Sequence, residues 1–228
     1  MKLSVVLPAY NEKETILGII ERVLKEEIVC ELIVVDDGSN DGTGDILKKA
    51  EFDSRVKVLF HNRNMGKGAA LRTAFKEVKG DVAIVQDADL EYDPREYKEL
   101  IRPIENGEAD VVYGTRLTGS KPQRAYLFWH KLGNNFITFF AGLLYNTTLT
   151  DIETGYKMIR TPLLRDINIK SNGFNFEPEF TAKVLKKRAR VYEVPISYYG
   201  RTYSEGKKIF WWHGFEALWT LIKYRFID

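Results

Sequence analysis

Five short apolar runs alternate with stretches of helical periodicity through the first half of this chain, and that alternation leaves few folds open. Leu3–Leu7, Leu32–Val35, Val56–Phe60, Val82–Val85 and Asp110–Tyr113 read as strands. Between them Ile16, Ile19, Ile20, Val23 and Leu24 recur at helical spacing, Asp45–Glu51 and Gly68–Val78 read as helices, and Pro94 opens another at its first turn. Asn11 with Glu14 reads as a capping box before the first helix. Strands that are apolar throughout, each followed by a helix, imply an α/β fold with a parallel sheet covered on both faces.

In such a sheet ligands bind beyond the carboxyl ends of the strands. The polar clusters fall there: Pro8–Glu12 after the first strand, Asp36–Gly42 after the second and Asp87–Glu91 after the fourth. Three carboxylate-bearing loops are thus expected at one edge. After Gly114 the pattern loosens. Tyr126–Tyr145 reads as an amphipathic helix with Trp129, Leu132, Phe136, Phe140 and Leu143 on one side, Phe176–Lys187 as a helix and Val191–Tyr199 as extended. Phe210–Phe226 reads as a mostly apolar helix with a narrow polar stripe of His213, Glu216, Thr220 and Lys223.

Composition sets limits. A net charge of +2 over 228 residues gives no global field for nucleic acid. The charge is uneven: Lys183–Asp228 holds ten Lys/Arg against four Asp/Glu, a net of +6 that leaves −4 for residues 1–182. One cysteine, Cys30, excludes an internal disulfide and suits a reducing compartment. The run Leu3–Leu7 stops at Pro8, so no secretory leader is expected, and no run of eighteen apolar residues predicts a membrane span. Three of the four tryptophans, Trp211, Trp212 and Trp219, fall near the C-terminus beside Lys207, Lys208, Lys223 and Arg225. Rings and cations in this mixture suit a membrane interface, whereas a helix packed on the core would bury one narrower face.

Asp87-Ala88-Asp89 is the central motif. Two carboxylates one residue apart, past a buried strand, can hold Mg²⁺ or Mn²⁺ and leave positions for phosphate oxygens, and Glu91, on the same side of an extended loop, can complete the set. Asp36-Asp37-Gly38-Ser39 has two readings: carboxylates for a nucleobase or ribose, or an Asx turn. Tyr10 and Glu12 can stack on and bond to the same base. Gly66-Lys67-Gly68 reads as a turn and helix start near the donor, with Lys67 a contact.

Val6-Leu7-Pro8-Ala9-Tyr10-Asn11-Glu12, Val34-Val35-Asp36-Asp37-Gly38-Ser39 with Asp41-Gly42-Thr43, Gly66-Lys67-Gly68 and Asp87-Ala88-Asp89, in that order and spacing, resemble family 2 inverting glycosyltransferases of GT-A fold. Gly114-Thr115-Arg116, His130 to Asn134, Asp151 to Lys157 and Arg201 to Lys208 resemble the dolichyl-phosphate mannose synthase and polyprenyl-phosphate glycosyltransferase branch, so the likeness covers nearly the whole chain. It implies a nucleotide-sugar donor, a polyprenyl or dolichyl phosphate acceptor, and work as a peripheral protein on the cytoplasmic face of a membrane, with room for a small anchoring subunit. It implies that Pro8, Tyr10, Glu12, Val35, Asp36 and Asp37 hold the nucleoside and that Asp87 and Ala88 contact ribose or sugar. Asp89 and Glu91, with Asp87, would ligate the metal, and Arg116, Arg201 and Lys208 would meet phosphates. His130, where some mannose synthases carry Arg, and Asn134 fall at the acceptor phosphate. Asp151 has two readings, orienting acceptor or sugar, or a turn carboxylate. The implied division is a catalytic domain over 1–208, with a nucleotide-sugar half 1–115 and an acceptor half 116–208, and an interfacial helix over 209–228. Nucleotidyltransferases place a Gly-rich basic loop after the first strand, where this chain has Pro8-Ala9-Tyr10-Asn11-Glu12. Transfer to a soluble or glycan acceptor is the other alternative.

Overall fold

The computed structural model describes residues 1–122, 124, 128–201 and 213–227. β1 (Leu3–Ala9) leads into α1 (Ile16–Leu24), β2 (Val29–Asp36) into α2 (Thr43–Lys49), and β3 (Val56–Phe60) into α3 (Lys67–Phe75). β4 (Val82–Val85) runs into a short 3-10 turn at Pro94–Glu96 and α4 (Tyr97–Glu105). Then follow β5 (Val111–Thr115), α5 (Phe128–Tyr145), β6 (Lys157–Arg160), α6 (Thr161–Arg165), α7 (Phe176–Lys186), β7 (Val191–Pro195) and α8 (His213–Phe226).

The strands form one sheet in the order β3-β2-β1-β4-β6-β5-β7. All neighbours are parallel except β6, which runs antiparallel to both β4 and β5. β1 lies between β2 and β4, so the chain order reverses across it, and the loops after β1, β2 and β4 flank that switch point.

Strand residues alternate between two apolar layers. Val5, Leu7, Leu32 and Val34 pack with Ile16, Ile19, Leu100 and Ile104 of α1 and α4. Val6, Ile33 and Val35 pack with Ala70, Leu71, Phe176 and Phe180 of α3 and α7. Burying one such aliphatic side chain stabilises the fold by roughly 1.5–3 kcal/mol, so both faces of the sheet anchor the edge where the loops emerge.

Two local expectations change. The capping box does not form: α1 begins at Ile16, with the Ile16 N–H donating to the Glu12 carbonyl at 2.9 Å. Asn11 instead adopts φ 54°; its N–H donates to Ser39 Oγ and its Oδ1 accepts from the Asn40 N–H, both at 2.9 Å, tying the first polar loop to the second. The Asp89–Glu91 segment is a turn, not extended, because Leu90 sits at φ 63°, a left-handed value unusual for a bulky side chain. The sheet also holds a strand that the sequence pattern did not mark: β6, inserted between β4 and β5. Its Lys157 is 1% exposed, hydrogen-bonds the Ile152 and Thr154 carbonyls, and lies 4.8 Å from the Tyr113 ring centroid. A strand that buries a satisfied lysine does not look apolar in sequence.

α5 and α8 form a third cluster at the C-terminal side. Ile137 and Ala141 meet Ala217 and Leu221, and the Tyr145 hydroxyl donates to the Leu221 carbonyl at 2.7 Å. The stripe singled out on α5 points outward: Trp129 is 77% exposed, and Leu132, Phe136 and Leu143 are also exposed, while Phe140 packs on the cluster. On α8 Phe215, Trp219 and Phe226 are exposed too. Tyr126, Lys207, Lys208, Phe210, Trp211, Trp212 and the 208/209 boundary lie outside the described residues. No helix among those described is long and apolar enough to cross a membrane.

Candidate active site

A cavity of about 660 Å³ opens at the carboxyl ends of β1, β2 and β4. Its walls include Pro8, Tyr10, Glu12, Asp37, Lys67, Asp87, Ala88, Asp89, Glu91, Arg116, His130, Asn134 and Arg201. Val35, Asp36 and Asp151 are not among its lining residues. Val35 is packed under α3, and Asp36, 4% exposed, turns toward α2, where its Oδ2 lies 2.9 Å from the place a Gly44 Cβ would take. Lys208 lies outside the described residues.

Pro8, Ala9, Tyr10, Asp37 and Asn64, from the loops after β1, β2 and β3, all line the cavity. Asp37 is 2% exposed and spends its carboxylate on the next loop. It accepts from the Met65 N–H at 3.0 Å and the Gly66 N–H at 2.7 Å, and faces His61 Nδ1 at 2.6 Å. His61 Nε2 in turn meets Thr73 Oγ1 at 2.9 Å. Gly38, at φ 68°, passes so close to Arg63 that a Cβ would strike its backbone. Asp37 therefore shapes the cavity through the loop it holds.

The floor is a web of buried charge. Lys67, the first residue of α3, bridges Asp87 and Glu177 at 2.8 Å each. Burial alone would lower its ammonium, but the two carboxylates hold it above the ordinary lysine value. Gly66 and Gly68 bring α3 so close to the loop at residues 171–172 that a Cβ at either would overlap its backbone. Arg116 forms a two-pronged pair with Asp151, at 2.7 and 2.8 Å, and Asn134 donates to the same carboxylate at 3.0 Å. Burial opposes the Asp151 charge, yet Arg116 and Asn134 hold its carboxyl below the usual range. So Asp151 is fully buried as the partner that fixes Arg116.

Arg201 occupies the acidic mouth. Its guanidinium is 3.2 Å from Glu12, 3.4 Å from Asp89 and 3.7 Å from Glu91. Glu91 also accepts from the Arg201 N–H and the Tyr198 hydroxyl, both at 2.6 Å. Asp89 is lightly committed: its Oδ1 accepts a 3.2 Å bond from the Glu91 N–H, and its Oδ2 faces Arg201. Burial, then the charges of Asp87 and Glu91, push it up to about 7 against the pull of Arg201. Tyr92 stacks on Tyr156 at 4.6 Å and accepts from the Gly155 N–H at 2.8 Å, closing the cavity beside Asp87.

Among the described residues no three His, Cys, Asp or Glu side chains form a metal cage by themselves. Magnesium-type sites need only one or two carboxylates, with diphosphate oxygens and waters filling the rest. Crowded carboxylate oxygens that keep Asp89 partly protonated are a donor set a hard cation would relieve, so the residues fit such an ion. Asp89 would be the principal ligand, with Glu91 and Asp87 giving up present partners to join it.

Sequence reasoning missed Glu153, Glu177, Tyr198, Phe174 and His213, all of which line the cavity. His213 read as an isolated polar-face residue; its ring lies 5.1 Å from Phe174 at the rim. Glu177 carried a weak signal, a carboxylate beside Phe176 at the start of α7.

Residues 4–167 match the family model described as Glycosyl transferase family 2. The chain is 30% identical over 212 residues to a dolichol-phosphate mannosyltransferase of Pyrococcus furiosus, covering 91% of this chain and 59% of that protein's length. It is 31% identical over 220 residues to an undecaprenyl-phosphate mannosyltransferase of Micrococcus luteus, covering 91% of this chain and 87% of the other. Glucosyl-3-phosphoglycerate synthase of Mycobacterium tuberculosis, solved with Mn²⁺, uridine diphosphate and glucosyl-3-phosphoglycerate, matches with a TM-score of 0.75 over 100% of this chain and 81% of that chain, at 22% identity. That last likeness is one of fold.

Proposed function

The chain belongs to glycosyl transferase family 2, and from that premise we propose that it transfers a hexosyl group from a nucleoside-diphosphate sugar to a polyprenyl phosphate at a membrane surface, inverting the anomeric carbon. The observation that carries this reading is the cavity's mixed lining. Carboxylates and Arg201 line it together with the apolar Trp129, Ile137 and Phe174, and α5 and α8, which supply Trp129, Ile137 and His213 to it, carry further exposed aromatics. A charged donor and a phosphate on an apolar chain require both kinds of surface together. The lipid acceptors named for the Pyrococcus furiosus and Micrococcus luteus relatives support the same reading.

The acceptor phosphate has a second pKa of about 6, so it is largely a dianion at neutral pH and needs no strong base. The harder task is bringing that anion toward a diphosphate. A divalent ion at Asp89, when bound, would act as a Lewis acid on the leaving diphosphate. Arg201 exchanges its carboxylate partners for phosphate oxygens, where a planar fork fits two acceptors. His130, on the cavity wall, meets the incoming acceptor phosphate, and Asn134 keeps the Asp151–Arg116 pair in place beside it. One displacement at the anomeric carbon turns an α-linked donor into a β-linked product.

The test pairs radiolabelled UDP-glucose and GDP-mannose with undecaprenyl phosphate in vesicles, or with free phosphoglycerate, in Mn²⁺ or Mg²⁺. The expected product is a β-linked lipid phosphosugar from one donor. Label found only on phosphoglycerate would sink the lipid acceptor.

A further inference from the structure

The floor of the cavity beyond Lys67 holds two carboxylates that the transfer chemistry above does not use. Glu177, at the start of α7, is 5% exposed. One of its oxygens pairs with Lys67, and the other, Oε2, is buried without a hydrogen-bond partner. Glu153, on the loop before β6, also lines the cavity and leaves its buried Oε1 without a partner. The nearest cations do not satisfy these atoms. Lys157, the first residue of β6, spends its ammonium on the Ile152 and Thr154 carbonyls of the loop that carries Glu153. Lys67 is divided between Asp87 and Glu177 Oε1.

Buried carboxylate oxygens left unpaired are costly and therefore rare. Two of them on one wall of a cavity mark where hydrogen-bond donors arrive with a ligand. We propose that Glu153 Oε1 and Glu177 Oε2 form the hexose subsite, accepting hydrogen bonds from the donor sugar's hydroxyls and setting which hexose is transferred. The assignment rests on the glycosyl-transfer reading above. It follows from which groups of the cavity are already committed. Asp37 is spent on the Met65 and Gly66 N–H groups, and Arg201 stands among Glu12, Asp89 and Glu91, while Lys67 links Asp87 to Glu177. With the diphosphate at Asp89 and Arg201, the sugar next to it falls to the carboxylates tied to Asp87 through Lys67.

Two features make this floor selective. Gly155 is required beside it, since a Cβ there would overlap Asp87 Oδ2 and press on the Tyr92 ring. The packing of Gly66 and Gly68 on residues 171–172 fixes the start of α3, and with it Lys67, against the segment leading to α7. Burial and the Glu177 charge push Glu153 up to about 7. At neutral pH it can then donate to a hydroxyl oxygen as well as accept from a hydroxyl proton. A site built to hydrogen-bond hydroxyls discriminates strongly against analogues that lack them.

The experiment uses the full chain, Glu177→Gln and Glu153→Gln, with Mn²⁺. Calorimetry measures binding of UDP, GDP, UDP-glucose and GDP-mannose, and kcat/KM is measured for the preferred donor and its single-position deoxyfluoro analogues. In the wild type, at least one deoxyfluoro substitution is expected to lower kcat/KM about tenfold or more, and in one of the two variants that same substitution should cost less than threefold. Nucleoside diphosphate affinity should stay within about threefold in all proteins. Equal deoxyfluoro penalties in all three proteins, or losses shared by sugar-free nucleotide, would overturn the subsite while leaving the transferase reading standing. No nucleotide binding by the wild type would overturn both.

Discussion

The two sides of the cavity are built for different media. In the cavity's charged lining, charge is buried and paired: Arg116 with Asp151, Lys67 with Asp87 and Glu177, Arg201 among Glu12, Asp89 and Glu91. On the side of α5 and α8, large apolar side chains stand in solvent, with Trp129 77%, Trp219 66% and Phe226 80% exposed. Neither arrangement is the cheapest for stability. Buried ion pairs often do no better than apolar residues of the same volume, and exposed aromatic patches invite association. The first makes sense where fixed charge must meet a charged ligand, the second where the surface is covered by something apolar. Under the proposed function the charged lining carries the chemistry and the apolar surface the docking, and each can be attacked separately.

The sharpest break is at Asp89. Asp89→Ala should lower glycosyl transfer on the order of 10³-fold, the equivalent of about 4 kcal/mol of charge stabilisation at the leaving group. The fold should not suffer, because Asp89 is crowded by Asp87 and Glu91, contributes one 3.2 Å hydrogen bond to its own turn, and its 3.4 Å partner Arg201 keeps Glu12 and Glu91. Circular dichroism and Tm should match or slightly exceed the wild type. Activity within tenfold of wild type in chelator-treated protein would remove the metal from the donor side.

That side was largely legible from the amino-acid order. Its skeleton is local: apolar runs at β1 to β4, each ending in a polar loop, put Glu12, Asp37, Asp87 and Asp89 at one edge by topology alone. What stayed hidden depends on partners far along the chain. Asp37 looked like either a ligand for a base or a turn residue, and its role in holding residues 61–66 appears only when Met65 and Gly66 are seen donating to it. Glu177 takes its place through Lys67, and Glu153 through β6, a strand whose buried lysine disguises it. For α5 the periodicity found the apolar stripe, but periodicity reports only that residues share a face. The packed face is Ile137 and Ala141, and the stripe of Trp129, Leu132, Phe136 and Leu143 looks outward.

The docking side should yield to a milder change. Phe215→Ser with Trp219→Ser removes two exposed rings from α8 without touching Ala217, Leu221 or Tyr224, which are buried. Losing roughly 1 kcal/mol of interfacial burial per ring would weaken binding to anionic vesicles about thirtyfold. Affinity for soluble nucleotide should stay within twofold. Unchanged flotation would show that these rings do not reach lipid, whereas equal loss of nucleotide binding would erase the division between the two sides.

The smallest effect tests whether the floor is as dry as its pairing implies. Burial, then the Glu177 charge, raises the Glu153 carboxyl from an ordinary 4.5 to about 7, and burial lowers the Lys157 ammonium from 10.5 to about 8. A carboxyl raised in the folded state binds its proton more tightly there than in the unfolded chain. Its contribution to stability is therefore full below pH 4.5 and is lost as pH rises through about 7. A lysine lowered in the folded state has the opposite slope in a different window: its charged form is penalised below about 8, and the penalty lifts between 8 and 10.5. Wild-type stability should thus sag between these windows, and Glu153→Gln should flatten the descent on the acid side. The full shift would correspond to about 3 kcal/mol. Solvent entering through the open cavity reduces the expected difference to about 1 kcal/mol. Urea unfolding of both proteins from pH 5 to pH 8 measures it. Parallel curves would mean that water reaches Glu153 freely, and the donor floor would then be wet like the side it is contrasted with.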